Sequence, residues 1–189
     1  MAERADLFRS DLYGSAVSGP GSFDPDGVEA LVRRVVAGTG VEHEIVPCAE
    51  DLADTAAFCA AYGYSPDDSA NTILVVGKSD PPRYAACVLL ASTRLDVNRT
   101  VRARLGTKKA SFAAADETRA VTGMVIGGVT PFGLPVGLPI WVDAQVMRRG
   151  RIVLGGGSRA CKVVGPPALL GALPGLEVVE GLANAAPEG

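Results

Sequence analysis

The chain has 189 residues, of which 48% are hydrophobic and 21% are charged, and its formal net charge is −3. This length and apolar content suit one globular domain, while the slightly acidic balance excludes a global basic field, so that a polyanion would have to bind a local patch. The N-terminal residues are charged from the third position, and no apolar run is long enough to span a bilayer. We therefore expect a soluble, cytoplasmic protein without a membrane partner.

Cysteine and histidine usage argues against a metal centre. The four cysteines are scattered without a C-x-x-C pair, and His43 is the only histidine. Such cysteines are typical of reduced, mostly buried thiols, and we expect neither a metal nor a cofactor. His43 lies on the apolar face of a predicted strand, where a packing role is favoured over catalysis.

The first part of the chain alternates helical and extended patterns. Apolar residues at helical spacing predict an amphipathic helix over residues 27–37, with Asp26 as its N-cap. Period-two alternation predicts a strand over residues 41–47. An Ala-rich helix over residues 51–62, which ends at Gly63, is expected to cover the sheet.

A hairpin and a cationic helix follow. Two continuous apolar runs, residues 71–76 and 84–91, are joined by a loop with consecutive prolines, and this pattern predicts a β-hairpin. A helix is predicted over residues 95–105, with Asp96 near its start and Gly106 at its end. Its cations are either a solvated face or a phosphate-binding patch. They are Arg99, Arg102 and Arg104, followed by Lys108 and Lys109.

The second part of the chain returns to strands after an irregular segment. A strand over residues 110–114 and a helix over residues 115–121 precede that segment, and a strand over residues 140–147 with Asp143 inside it follows. The remaining predicted elements are strands over residues 151–154 and 161–164, a short helix over residues 166–173 and a short segment over residues 176–179.

The irregular segment, residues 122–139, is the glycine loop. It holds five glycines and three prolines in eighteen residues, too many for a helix interior or a central strand. Aliphatic residues between the glycines indicate a partly packed loop. Two interpretations stay open: a structural turn, or a backbone surface that holds an ester, a phosphate or a water. The GGGSR turn, residues 155–159, predicts a bulge or a second close backbone approach.

These patterns divide the chain into one domain and two ends. Residues 1–25 are rich in Gly, Ser and Pro towards their end and are expected to be a flexible lead-in, and residues 183–189 a frayed tail. The domain itself is expected over residues 26–182.

The order of the pieces resembles the YbaK and prolyl-tRNA synthetase-associated editing-domain family over about residues 28–180. Its most specific parts are a G-x-x-x-P signature at residues 127–131, Asp143 and the GGGSR turn. The resemblance implies an α+β fold with a curved, mostly antiparallel mixed sheet flanked by helices. It also implies hydrolysis of the ester of mischarged aminoacyl-tRNA in trans, or binding to a synthetase as a free-standing editing factor.

The resemblance also implies a set of site residues. Gly127 and Gly128 would border the ester and the attacking water. Asp143 would orient the loop or contact the terminal ribose, although a buried acceptor for backbone N–H groups is an equally open reading. The implied substrate-binding residues are Thr130, Pro131, Phe132, Ser158 and Arg159. The implied contacts to the tRNA acceptor end are Arg99, Arg102, Lys108 and Lys109.

Asn71 departs from the family pattern, because deacylases of this family typically carry a lysine there. Asparagine offers only a neutral amide in place of an ammonium group. Two functions follow. In the first, which we favour, Asn71 positions water in a variant deacylase. In the second, the domain binds tRNA, a nucleotide-like ligand or a synthetase without hydrolysis. No DNA partner is expected.

Overall fold

The computed structural model describes residues 24–186. The expected lead-in lies outside this part, apart from its last two residues. The described residues form a mixed α+β fold with flanking helices, as predicted, and their strands are divided among three β-sheets rather than one curved sheet. No helix among them is long and apolar enough to cross a membrane.

The elements are numbered in chain order. The helices are α1 (Pro25–Gly38), α2 (Thr55–Tyr62), α3 (Arg102–Leu105), α4 (Ala115–Thr122), α5 (Ala144–Met147) and α6 (Ala168–Gly171). The strands are β1 (Glu44–Pro47), β2 (Ala70–Gly77), β3 (Arg83–Leu90), β4 (Thr93–Leu95), β5 (Ala110–Phe112), β6 (Ile140–Asp143), β7 (Ile152–Gly155), β8 (Cys161–Gly165), β9 (Leu176–Val179) and β10 (Ala183–Ala185). A π-helical turn, Val97–Val101, leads into α3.

The largest sheet has five strands in the order β5-β2-β3-β6-β9. The predicted hairpin is confirmed, because β2 and β3 pair antiparallel. β5 joins β2 antiparallel, whereas β6 and β9 add parallel strands. A three-stranded antiparallel sheet, β1-β8-β7, lies beside it, and β10 pairs with β4.

Strand β3 has a continuous apolar run because both faces of the five-stranded sheet are covered. Ala86 and Val88 face the main core with α1, the glycine loop and β7, whereas Cys87 and Leu89 face a second core near α3. Because both faces of β3 are buried, its sequence lacks the alternation of apolar and polar residues that a half-exposed strand would show.

Helix α1 begins two residues earlier than predicted. Asp24, rather than Asp26, is the N-cap, since its side chain accepts a hydrogen bond from Gly27 N at 3.0 Å. Pro25 occupies the first turn, where an N–H group has no helical partner. The apolar stripe of the helix buries Val32 and Val35 in the main core.

Two predictions for the C-terminal part are wrong. The strand predicted over residues 140–147 ends at Asp143, whose carboxylate accepts from Gln145 N at 2.9 Å and thereby starts α5. A side-chain cap of this kind competes with continuation of the strand. The expected frayed tail includes Ala183–Ala185, which form β10 against β4.

The glycine loop is irregular and partly packed, as predicted. Met124, Phe132 and Leu134 insert into the main core, whereas Ile126 and Val136 remain exposed. The loop thus runs between the core and the surface, and its glycines range from buried (Gly128 and Gly133) to exposed (Gly123 and Gly137).

Candidate functional site

A cavity of about 470 Å³ lies where β2 meets the glycine loop, the end of β7 and the segment before α2. Its wall includes Asn71 and Thr72 from β2, Gly127 from the loop, Gly155 from β7 and Lys162 from β8. Small-molecule sites occupy roughly 300–1,000 Å³, so the cavity has the size of a ligand pocket.

The glycine loop and the GGGSR turn pack backbone against backbone. A Cβ atom on Gly128 would lie 2.3 Å from Ser158 O, and one on Gly155 would lie 2.5 Å from Val129 O. Gly157 N donates to Gly128 O at 2.8 Å. The triple glycine therefore allows a close approach of two backbone segments rather than forming only a bulge. No residue with a side chain would fit at Gly128 or Gly155 without a shift of the backbone.

Arg159 ties the glycine loop to the segment before α2. Its Nε and Nη2 donate to Glu50 O at 3.0 and 2.8 Å, and its Nη1 donates to Ile126 O at 3.1 Å. Asp54 forms an ion pair with the same guanidinium at 3.6 Å. Three of the donors of Arg159 are thus committed within the protein.

Lys162 makes a second link between the same two segments. Its Nζ donates to Ala53 O at 2.5 Å and to Gly127 O at 2.9 Å, and it lies 5.7 Å from the ring centre of Phe58. The residue is 6% exposed and lines the cavity. The ammonium group of Lys162 therefore lies at the site, although Asn71 occupies the position where the family typically has a lysine.

The surroundings of Lys162 lower its pKa. Burial is the largest cause, because it disfavours the charged form, and the positive charge of Arg159 acts in the same direction. Cys48, Asp54 and Cys161 oppose the shift. The two carbonyl acceptors favour the ammonium form as well.

Strand β2 contributes neutral polar groups to the cavity. Thr55 Oγ1 donates to Asn71 Oδ1 at 2.8 Å, which leaves the amide N–H groups of Asn71 for another acceptor. The hydroxyl of Thr72 is buried and has no hydrogen-bond partner among the described residues. A buried hydroxyl without a partner is costly in a folded protein, so a ligand that satisfies it would gain binding energy.

Residues 49–172, more than half of the chain, match the family model of the aminoacyl-tRNA editing domain. The chain belongs to this family. The resemblance inferred from the sequence is thereby confirmed. The match spans the cavity, from the segment before α2 to α6.

Two solved structures share the fold of this editing domain. A hypothetical protein has a TM-score of 0.71 and 23% sequence identity, with 81% of this chain and 99% of that chain covered. A candidate trans-editing enzyme for prolyl-tRNA synthetase has a TM-score of 0.70 and 22% identity, with 84% and 98% covered. These similarities establish the fold, whereas the activity depends on the residues of the site.

Asp143 of the editing domain is a structural acceptor. It is 1% exposed, and its carboxylate accepts from Gln145 N and, at 2.9 Å, from Ala183 N. It thereby caps α5 and anchors β10, and it is not among the residues that line the cavity. The buried-acceptor reading describes its observed contacts, although the N–H groups belong to other segments than the glycine loop.

The predicted substrate-binding residues of the loop and the turn are not part of the cavity wall. Phe132 and Thr130 are fully buried, and Phe132 belongs to the main core. The Ser158 hydroxyl donates to Glu29 and accepts from Ala160 N at 3.0 Å. Of the loop residues predicted to border the ester, Gly127 lines the cavity. Those predicted residues that the cavity wall does not include are Gly128, Thr130, Pro131, Phe132, Asp143, Ser158 and Arg159.

The predicted cationic patch divides into two parts. Arg104 pairs with Glu177 and lies 4.9 Å from the ring centre of Trp141, so it belongs to the packing of the sheet. The other four cations are exposed and form no ion pair within the described part of the chain. These four, here called the cationic patch, are Arg99, Arg102, Lys108 and Lys109.

All four cysteines are free and buried, as predicted. Burial raises the pKa of Cys161 to about 11 and that of Cys87 to about 12, because the thiolate loses its solvation. No group of three or more His, Cys, Asp and Glu residues in the described ranges is arranged to hold a metal ion.

The folded protein is therefore expected to resist alkylation at neutral pH. Mass spectrometry after treatment with iodoacetamide should find no modified cysteine in the native state and four after denaturation in urea. Fast alkylation of Cys161 in the native protein would contradict the burial described here.

Proposed function

We propose that the chain is a trans-acting aminoacyl-tRNA deacylase, which hydrolyses the ester between a mischarged amino acid and the terminal ribose of tRNA. The observation that carries this proposal is the cavity of about 470 Å³, which combines a wall of the glycine loop with a buried ammonium group. Membership of the editing-domain family and the likeness to a candidate trans-editing enzyme support the same function.

The chemistry requires a positioned water, donors for the carbonyl oxygen and a pocket for the amino-acid side chain. An aminoacyl ester is activated enough that a strong nucleophile is unnecessary. In the proposed complex, the ester lies against Gly127 and the Asn71 amide holds the attacking water. The unpartnered hydroxyl of Thr72 meets a polar group of the aminoacyl moiety.

The tRNA end would enter along β5. Phe112 is 55% exposed, lines the mouth of the cavity and also borders a smaller groove with Arg94 and Asn98. An exposed aromatic ring offers a stacking surface for an unpaired base, and the groove provides polar groups for the next nucleotide. The cationic patch would contact the acceptor stem. In this proposal a synthetase supplies the mischarged tRNA, and the reaction takes place in the cytoplasm.

A deacylation screen tests the proposal. Purified protein is incubated with tRNAs charged with alanine, serine, cysteine, threonine or proline, and then with the full set of aminoacyl-tRNAs. Release of free amino acid above the uncatalysed rate is expected for at least one small or near-cognate amino acid. Absence of release across the whole set would refute the proposed activity.

A second candidate is a module that binds tRNA, a nucleotide-like ligand or a synthetase without hydrolysis. The observation that favours it is the neutral Asn71, whose amide oxygen is already bonded to Thr55. It predicts binding that persists without turnover. Under this candidate, Asn71→Lys would be the substitution that introduces activity.

Removal of two patch cations is expected to weaken tRNA binding. The Arg99→Ala, Arg102→Ala double variant should bind tRNA with lower affinity. A plot of the logarithm of the association constant against the logarithm of the salt concentration should also be less steep, by about one for each phosphate group that the variant no longer neutralises. Filter binding at several salt concentrations measures both quantities. Arg34→Ala with Arg151→Ala is the matched control, because both cations are exposed, form no ion pair with a described carboxylate and lie outside the patch. An equal effect of the two pairs would contradict a local patch.

A further inference from the structure

We propose that Lys162 contacts the ester group of the substrate directly and stabilises the negative charge that develops on its carbonyl oxygen during hydrolysis. The inference rests on the proposed function and assigns the charged catalytic group of the same site. Lys162 lies on β8, outside both the glycine loop and β2.

The donors of Lys162 are only partly used within the protein. An ammonium group has three N–H donors. Two of them go to Ala53 O and Gly127 O, and no acceptor among the described residues is bonded to the third. Because Lys162 lines the cavity, that donor is available to a ligand inside it.

Lys162 also has no ion-pair partner among the described residues, although the carboxylate of Asp54 acts on its charge from a longer distance. The residue is 6% exposed and forms no ion pair with a described carboxylate. The nearby Asp54 pairs instead with Arg159, and its side chain is 72% exposed. A buried cation without a counter-ion is costly, and an oxyanion that forms beside it supplies the missing negative charge at the moment of reaction.

The local backbone leaves room for the lysine side chain to reach this position. Gly155 is the direct partner of Lys162 across β7 and β8, and both residues line the cavity. Directly opposed residues present their side chains to the same face of a sheet, and glycine has none. Among the described residues that line the cavity, Lys162 is the only cation.

The reaction step follows from this placement. A water oxygen attacks the ester carbonyl carbon, and the carbonyl π electrons move to the carbonyl oxygen, which accepts the third N–H of Lys162. The tetrahedral intermediate then collapses and the bond from carbon to the ribose oxygen breaks. The ribose oxygen takes up the proton that the attacking water loses, and the carboxylic acid releases its remaining proton to solvent. The products are the free amino acid and tRNA with its terminal hydroxyl restored.

Two substitutions separate this role from that of a structural link. Lys162→Met removes every donor, whereas Lys162→Gln keeps two N–H groups for the backbone carbonyls but has neither the charge nor a third donor. For both variants we expect kcat to fall by about 100-fold or more, the loss typical of removing an oxyanion donor, while KM changes little. Circular dichroism verifies folding.

Two comparison variants complete the experiment. Lys78→Met removes an exposed lysine that is outside the cavity wall, and it should behave as the wild type. Arg159→Met removes a cation that joins the same segments without lining the cavity, and it should affect stability and KM more than kcat. A Lys162→Gln variant with wild-type kcat, or equal losses of kcat in Lys162→Met and Arg159→Met, would overturn the inference.

A binding measurement tests the contact between Lys162 and the substrate independently of whether the protein hydrolyses the ester. The alanyl probe is tRNA that carries a phosphonate analogue of alanine, which mimics the charged tetrahedral intermediate and is not hydrolysed, with uncharged tRNA as its reference. Wild-type protein should bind the alanyl probe at least tenfold more tightly than Lys162→Gln, and both should bind uncharged tRNA equally. Equal binding of the probe refutes the contact even if the wild type hydrolyses no ester. Conversely, the contact can hold in a protein that fails the deacylation screen.

Discussion

Replacing Gly127 by valine is expected to lower the kcat of deacylation by about 100-fold or more. Gly127 has φ of +93°, lines the cavity, and a Cβ atom there would lie 2.4 Å from Nη1 of Arg159. The new side chain would occupy space beside the ester, which is the expected cause of the loss of turnover, and it would also displace the guanidinium that holds Ile126 O, which lowers stability. A shift of about 1 Å in a reacting group can cost 100-fold in rate, so a large drop in turnover is the expected result.

Gly137 provides the matched control for this substitution. Its φ of +89° imposes the same backbone strain on valine, but a Cβ atom there meets nothing within 4 Å. Both variants should lose about 1–2 kcal/mol of unfolding free energy in urea, the cost of left-handed backbone for a residue with a Cβ atom, and the Gly127 variant should lose more because it also displaces Arg159. Only the Gly127 variant should lose deacylation activity. Equal activity of the two would show that the loop does not face the ester.

The second large effect is on stability. Gly155→Ala is expected to lower the free energy of unfolding by about 3 kcal/mol, because the new methyl group would lie 2.5 Å from Val129 O and 2.6 Å from Gly128 O. These atoms belong to backbone that is itself packed, so they cannot move aside as a flexible side chain would. For a domain of this size the melting temperature should fall by roughly 6–12 °C.

Gly150→Ala is the control for crowding. A Cβ atom at this position meets nothing within 4 Å, and its φ lies outside the left-handed region. Its melting temperature should stay within about 2 °C of the wild type or rise slightly, since alanine restricts the unfolded chain more than glycine does. Calorimetry of both variants measures the difference. A Gly155 variant as stable as the Gly150 variant would contradict the close approach of loop and turn.

Local patterns in the sequence predict most of the fold. The hairpin of β2 and β3 follows from two apolar runs around a Pro-rich loop, and the irregular loop follows from its density of Gly and Pro. The boundaries that are wrong depend on single side-chain hydrogen bonds. Asp24 and Asp143 each accept from a backbone N–H two or three residues ahead, and the local pattern does not show which aspartate makes such a bond.

The site is less predictable than the fold. The sequence points to Gly127 through the G-x-x-x-P signature at residues 127–131, because the resemblance to the editing-domain family implies that this glycine borders the ester. Lys162 cannot be placed at the site from the sequence. Its only sequence signal is a lysine within the apolar run of β8, which indicates burial without showing the partner. The carbonyl acceptors, Ala53 and Gly127, lie 109 and 35 residues away along the chain, so only the tertiary fold brings them to the ammonium.

The paired links of Arg159 and Lys162 would limit the size of the amino acid whose ester with tRNA such a site could hydrolyse. Both cations join residues 50–53 to residues 126–127 across one edge of the cavity. Widening the cavity for a larger side chain would break charge-assisted hydrogen bonds of about 1.5–3 kcal/mol each, as much as the roughly 1–3 kcal/mol that an added methylene gains in a pocket. The width of the cavity would then be fixed, and it would select amino acids by the size of their side chains. Correctly charged tRNA would be spared whenever its amino acid is a single carbon too large to enter.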